Sequence, residues 1–151
     1  MNKPLEKDTI LKRINGIQLE IAELEKLGKI PFEEFNTGVS HKLAQYHLHR
    51  ALEGVFNIAA HILSRIPGGQ ATTYKETALK LGEYGIVPKE FAGNTLAEMA
   101  KYRNRLVHFY AEVTGEELYG ILQSHLGDFD TFLQGVKGLL EDSAKFGLRL
   151  E

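Results

Sequence analysis

The 151-residue chain contains no cysteine, which excludes disulfides, zinc–thiolate sites, iron–sulfur clusters and cysteine nucleophiles. It also lacks any run of about 18 uncharged apolar residues, so no membrane-spanning helix is expected. The charged residues at its start leave no apolar core for a signal peptide. A net charge of −2 excludes a broadly basic coat but permits a local basic patch. These absences favour a protein that acts in the cytoplasm without a membrane.

Apolar residues recur in steps of three and four along most of the chain, which predicts amphipathic helices. No segment alternates apolar and polar residues at period two, so no sheet is expected. Capping-box spacings at Thr73-x-x-Glu76 and Thr114-x-x-Glu117 mark two helix starts. The predicted fold is an all-α antiparallel bundle of four long helices plus one short helix, forming a single domain over residues 1–151. The long helices are expected at about residues 8–27, 40–66, 88–113 and from 114 onwards.

Three further features of the helical pattern lead to expectations of their own. Residues 29–38 are expected to be a connector, and the tail from residue 145 to residue 151 to be loosely held. Of 15 glycines, seven fall inside predicted helices, where each costs up to about 1 kcal/mol against alanine unless close packing uses it. These seven, which the sequence does not explain, are Gly16, Gly54, Gly93, Gly120, Gly127, Gly135 and Gly138.

The histidines do not suggest a metal site. His41, His47 and His49 are separated by six and two residues, which places them on different faces of one helix. His61 and His125 lie on or beside apolar stripes, so packed and hydrogen-bonded imidazoles are expected there. We therefore expect neither a bound metal nor another cofactor.

The segment from Lys101 to Tyr110 is rich in groups that can act on a phosphate. Arg103 lies on the apolar stripe of its helix, although burying an unpaired charge is costly. Either that helix face is not sealed within the monomer, or Arg103 has a partner. Lys101 and Arg105 make the segment locally basic and are candidate RNA contacts.

These residue types suit the cleavage of an RNA phosphodiester without a metal. His108 can transfer a proton to or from the reacting oxygens, and Arg103 can hold the phosphate and stabilise its developing charge. Asn104 can orient the imidazole or contact an oxygen. On composition and periodicity alone, an amphipathic helix with a solvated basic face remains the simpler interpretation.

The residues Arg103-Asn104-Arg105-Leu106-Val107-His108-Phe109-Tyr110 resemble the Arg-Asn-x-x-x-His-x-Tyr signature of the HEPN superfamily, and specifically its HepT-like branch. The segment 46–62 is similar to the second helix of that family. The resemblance implies a HEPN-like homodimer in which two signature helices face each other across a two-fold axis. The active groove would then be composite, and the partner chain would cover the face that carries Arg103.

The resemblance further implies a metal-independent endoribonuclease toxin that leaves 2′,3′-cyclic phosphate ends on messenger or transfer RNA. Arg103, Asn104 and His108 would be its catalytic residues. Its antitoxin would be a nucleotidyltransferase encoded by an adjacent gene, which transfers AMP onto Tyr110. Two alternatives stay open: a non-catalytic HEPN module that binds nucleotide or docks a minimal nucleotidyltransferase, and a helical dimerisation protein without a ligand.

Overall fold

The computed structural model describes residues 3–108 and 112–151, and within them the chain is all-helical, as predicted. Its only extended pairing there is one isolated bridge between Leu5 and Leu150. No helix of this described part is long and apolar enough to cross a membrane. The α-helices are α1 Lys7–Gly28, α2 Phe32–Thr37, α3 Ser40–Leu63, α4 Tyr74–Glu83, α5 Lys89–Phe91, α6 Ala97–Val107, α7 Gly115–Ser124 and α8 Gly127–Glu141.

Helices α1 and α3 form the longest packed pair, with the predicted isoleucine stripe of α1 buried against α3. A Cβ atom on Gly54 would lie 2.6 Å from Cγ1 of Ile17, so the glycine lets these two helices approach closely. Gly135 of α8 has the same role, because a Cβ atom there would lie 2.5 Å from the carbonyl oxygen of Ile86. Close packing thus accounts for two of the seven helical glycines, and nothing in the structure explains the other five.

The helix that carries the HEPN-like signature is continuous from Lys89 to Val107 but not uniform. Residues Ala92–Leu96 form a π-helical turn between α5 and α6. The helix ends at Val107 rather than near Val113, because His108 has an extended backbone and Val113 is buried in the core. Thr114 then caps α7 with the predicted capping box. The signature histidine therefore lies at the exit of its helix, not within it.

Three other boundaries differ from the sequence-based prediction. The expected connector contains α2, which is anchored by the fully buried ring of Phe35. Helix α3 ends at Leu63 instead of Ile66, just before a turn that contains Pro67. The expected last long helix is split into α7 and α8, since the helical backbone is interrupted at His125.

The C-terminal tail is docked, so the expectation of a loosely held segment was wrong. Leu148 is buried, and the backbone N–H of Leu5 donates to the carbonyl oxygen of Arg149 over 2.7 Å. The N–H of Glu151 returns a bond of 2.9 Å to the carbonyl oxygen of Leu5. An apolar anchor and a short backbone pairing thus join the two ends of the described chain.

Candidate active site

Arg103 has a partner within its own chain, which answers one of the alternatives that the sequence left open. Its Nε atom donates to Oε1 of Glu53 on α3 over 2.5 Å. Its guanidinium lies over the ring of Tyr74, the first residue of α4, at 4.2 Å from the ring centroid. The ring of Tyr74 itself packs edge-on against Phe56. Three helices therefore determine the orientation of one guanidinium.

The contacts of Arg103 leave part of its donor set available for a ligand. Nη1 makes a long bond of 3.4 Å to Oδ1 of Asn104, the next residue in the signature. Within the described part of the chain, Nη2 has no hydrogen-bond acceptor. Because an arginine fork is suited to phosphate oxygens, the Nη edge is the part of this residue that can bind one.

Asn104 and Lys101 face a shallow cleft beside the π-helical turn. Both side chains are exposed, and Lys101 has no ion-pair partner among residues 3–108 and 112–151. We call this surface the Asn104 cleft; its lining includes Lys75, Gly93, Glu98, Lys101 and Asn104. Its two lysines make it a suitable path for a phosphate backbone.

His108 is exposed and lines a second cleft, between α3 and the segment that leads into α7. The cleft encloses about 630 Å³, and we call it the His108 cleft. Its side chains include His41, Lys42, Tyr46, His49, Leu106 and His108. Tyr46 therefore lies in the same cleft as the signature histidine. Arg50 does not line this cleft, and its Cζ atom lies 5.4 Å from the centroid of the Tyr46 ring.

Arg105 also lines the His108 cleft, but its guanidinium is paired within its own chain, and its contact with RNA stays a prediction. Its two terminal nitrogens donate to the two carboxylate oxygens of Glu117 over 2.6 and 2.8 Å. One of them also donates to the backbone carbonyl of Glu112 over 2.9 Å. The hydrogen bonds from Arg105 are the main cause that lowers the pKa of Glu117 to about 2.

The remaining histidines have partners of different kinds. Nε2 of His61 accepts from the backbone N–H of Glu6 over 3.1 Å, as expected for a packed histidine, and burial lowers its pKa. The same expectation was wrong for His125, whose side chain is 62% exposed beside Asp128. His47 contacts Glu20, whereas His49 contacts Glu53. The described residues contain no group of three or more potential metal ligands.

Sequence reasoning missed Glu53 and Tyr74, the two residues that hold Arg103. Glu53 is the only acidic residue of α3, so a lone carboxylate among histidines and an arginine was an available signal. No sequence signal marked Tyr74, because its contact with α6 depends on the path of the loop that connects α3 to α4. Tyr110, the predicted site of modification, lies outside the described residues.

The helices have the fold of known HEPN toxins. A solved structure described as tri-AMPylated Shewanella oneidensis HEPN toxin in complex with MNT antitoxin matches with a TM-score of 0.79 at 23% identity. The match covers 87% of this chain and 98% of that one. A second solved structure, a toxin–antitoxin with AMP-PNP, matches with a TM-score of 0.78 at 22% identity over the same shares of the two chains.

Sequence comparison assigns the family. A profile described as Ribonuclease HepT-like matches residues 17–136, and the chain belongs to that family. It is 24% identical over 129 residues to a tRNA nuclease HepT of Aphanizomenon flos-aquae, across 85% of this chain and 87% of the relative. It is 28% identical over 91 residues to an mRNA nuclease HepT of Shewanella oneidensis, across 60% and 68% of the two chains.

Proposed function

We propose that this protein is a metal-independent endoribonuclease and acts as the toxin of a toxin–antitoxin pair. The observation that carries the proposal is the anchored Arg103, held by Glu53 and Tyr74 in the helix whose end presents His108. Family membership and two relatives named as RNA nucleases support it. RNA in the cytoplasm is the proposed substrate, and residues 1–151 act as one domain.

The residues divide the work of phosphodiester cleavage. Arg103 presents its Nη edge to the scissile phosphate and stabilises the charge that builds on its oxygens. His108 transfers a proton at the reacting oxygens, for which imidazole is suited near neutral pH. Asn104 supports the arginine, and Lys101 draws the phosphate backbone into the Asn104 cleft.

The functional unit that we propose is a homodimer. Val39, which caps α3, is followed at spacings of four and three residues by Leu43 and Tyr46 on that helix. The three form one exposed apolar stripe that leads to the His108 cleft. Val107 is also exposed, at the end of α6. Apolar surface concentrated beside a basic site suits contact with a second copy, which would make the groove composite.

We also propose that a nucleotidyltransferase encoded by a neighbouring gene neutralises the enzyme by transferring AMP to Tyr110. The similar solved structure is named as an AMPylated toxin in complex with an antitoxin. Tyr110 occupies the matching position of the signature, two residues beyond His108. Added AMP would bring negative charge and bulk to the signature segment, and both would oppose the binding of RNA.

The activity is tested by incubating the pure protein with RNA in EDTA. We expect fragments that end in 2′,3′-cyclic phosphate, and at least about a hundredfold slower cleavage by Arg103→Ala and His108→Ala. His125→Ala is the matched control, because His125 is exposed and lies outside the His108 cleft. Binding of nucleotide without cleavage would instead support a non-catalytic module.

The regulation is tested by co-expression with the neighbouring nucleotidyltransferase. We expect the intact mass to increase by one or more AMP units in the wild type and to stay unchanged in Tyr110→Phe. Neutralised toxicity without any added mass would reject AMPylation as the mode of inhibition. Digests of total RNA by the unmodified enzyme would show whether transfer or messenger RNA is cut.

A further inference from the structure

The His108 cleft contains a second accessible imidazole, that of His49 on α3. Its side chain is 40% exposed, and its Nε2 atom lies 3.4 Å from Oε1 of Glu53. The same carboxylate oxygen accepts the bond from Nε of Arg103. One oxygen of Glu53 thus connects an imidazole in the cleft to the arginine that is proposed to hold the phosphate.

Cleavage of RNA through its 2′-hydroxyl requires two proton transfers. One group must take the proton of the attacking hydroxyl, and another must give a proton to the departing 5′-oxygen. Within one chain the signature supplies a single histidine, so a second proton-transfer group of the same chain must lie outside it. We propose that His49 is the general base of this reaction and that His108 is the general acid, an assignment that rests on the ribonuclease function proposed above.

The carboxylate beside His49 favours the tautomer of the imidazole that a general base requires. The negative charge of Glu53 lies beside Nε2 and favours the tautomer that carries its proton there, which leaves the lone pair on Nδ1. This is the arrangement in which a carboxylate orients an imidazole and stabilises the cation that forms when it takes a proton. Glu53 therefore lies beside both the base and Arg103, and catalytic contacts of this length are common in enzymes without bound substrate.

The resulting step balances in atoms and electrons. Nδ1 of His49 takes the proton of the 2′-hydroxyl while the 2′-oxygen forms a bond to phosphorus. The bond between phosphorus and the 5′-oxygen breaks, and its electron pair stays on that oxygen. His108 gives its proton to the same oxygen, while Arg103 neutralises the non-bridging oxygens. The products are a 2′,3′-cyclic phosphate and a 5′-hydroxyl end.

The other histidines of the described chain do not fit this role. Nδ1 of His47 lies 2.6 Å from Oε2 of Glu20, and this residue does not line the cleft. Nε2 of His41 is shielded from solvent within the packing around Phe35. His61 is bonded to the backbone of Glu6. Among these histidines, only His49 is exposed in the His108 cleft and also contacts the carboxylate that binds Arg103.

A substrate with sulfur in place of the bridging 5′-oxygen separates the two roles. A thiolate leaves without needing a proton. Removing the general acid should therefore slow the cleavage of this substrate very little, whereas removing the general base should slow it as much as on ordinary RNA. On ordinary RNA we expect His49→Ala, His49→Asn and His108→Ala each to cleave about a hundredfold to ten-thousandfold more slowly. On the sulfur substrate only His108→Ala should regain most of the wild-type rate.

Binding of an RNA that lacks the attacking 2′-hydroxyl provides the structural control. We expect both His49 variants to bind this uncleavable strand as the wild type does, because a base acts on the chemical step. His125→Ala should behave as wild type in every assay. A wild-type rate for His49→Ala on ordinary RNA overturns the inference, as does its rescue by the sulfur substrate or a parallel loss of binding. A wild type that cleaves no RNA overturns the proposed function itself.

Discussion

Nε of Arg103 donates to Oε1 of Glu53 over 2.5 Å, and this single bond joins the signature helix α6 to the long helix α3. Both side chains are partly exposed, so solvent screening limits what the ion pair adds to stability to about 1 kcal/mol. Its larger effect is geometric. Because Nε is used for anchoring, the Nη edge keeps a fixed direction, and a fixed arginine is worth more to catalysis than a mobile one.

The first prediction concerns this anchor. Glu53→Gln keeps the shape of the side chain but removes the charge that holds Arg103, so we expect kcat for RNA cleavage to fall about ten- to a hundredfold. The melting temperature should change little, because the pair is partly exposed. Glu23→Gln is the control, since Glu23 pairs with Lys26 on the surface of α1. Equal kcat values for Glu53→Gln and the wild type would show that Arg103 needs no anchor.

The ring of Tyr74 carries the second prediction. A cation–π contact at a partly buried site is worth about 1 kcal/mol, and loss of the ring also frees the guanidinium to tilt. Tyr74→Phe keeps the ring and should retain nearly full kcat/KM, whereas Tyr74→Leu should lose about tenfold. The comparison separates the stack from the hydroxyl. A large loss in Tyr74→Phe would assign the effect to the hydroxyl instead.

Lys101 is the exposed cation of the Asn104 cleft and gives the third prediction. If it contacts one phosphate, Lys101→Gln should weaken RNA binding and reduce the slope of log affinity against log salt by about 0.7. Binding is measured between 50 and 200 mM salt, conditions over which the slope is well determined. Lys12→Gln on α1 is a charge-matched control that should leave the slope unchanged. An equal change of slope in both variants would mean that Lys101 acts only through the net charge of the protein and makes no specific phosphate contact.

The fold was largely predictable because its helices are regular and their apolar stripes are strong. The predicted boundaries that were wrong concern residues whose backbone depends on how neighbouring segments pack into the core. His108 leaves the helix because Val113, five residues on, is buried in the core, and no local spacing signals this. Leu148 is likewise buried in the main core, which the sequence around it does not signal.

The sequence motif of the candidate site was predictable, but the residues that hold Arg103 in place were not. Arg103 and His108 stand in one short segment, so a signature can identify them. Glu53 is 50 residues away from Arg103 along the chain, and Tyr74 lies on a third helix. The partner of Arg105 was equally hidden from the sequence, since this basic residue of the signature is bound to Glu117, 12 residues further along the chain.

The fourth prediction concerns the docked C-terminal tail. Leu148 is 6% exposed and packs into the main core beside the backbone pairing of Leu5 with Arg149. Leu148→Ala should lower the free energy of unfolding by about 2 kcal/mol, the lower range for a buried leucine. Leu19→Ala, an exposed leucine of α1, is the matched control. If urea denaturation gives the same midpoint for Leu148→Ala and the wild type, the tail contributes nothing to the folded state.

The last prediction uses the pair of Arg105 and Glu117, whose bonds lower the pKa of Glu117 from 4.5 to about 2. A carboxyl whose pKa is lower in the folded state adds stability above its unfolded pKa and loses it as the pH falls through the folded value. Glu117→Gln keeps a residue that can complete the capping box, so it isolates the charge.

We therefore expect Glu117→Gln to be less stable than the wild type by about 1 kcal/mol at pH 6, after solvent screening of a partly exposed pair. The difference should shrink as the pH falls from 4.5 toward 2, because the wild-type carboxyl then takes up a proton. Urea denaturation at several pH values measures it, with Glu116→Gln in the same helical turn as the control. A difference that stays constant over this range would mean that the bond to Arg105 acts without its charge.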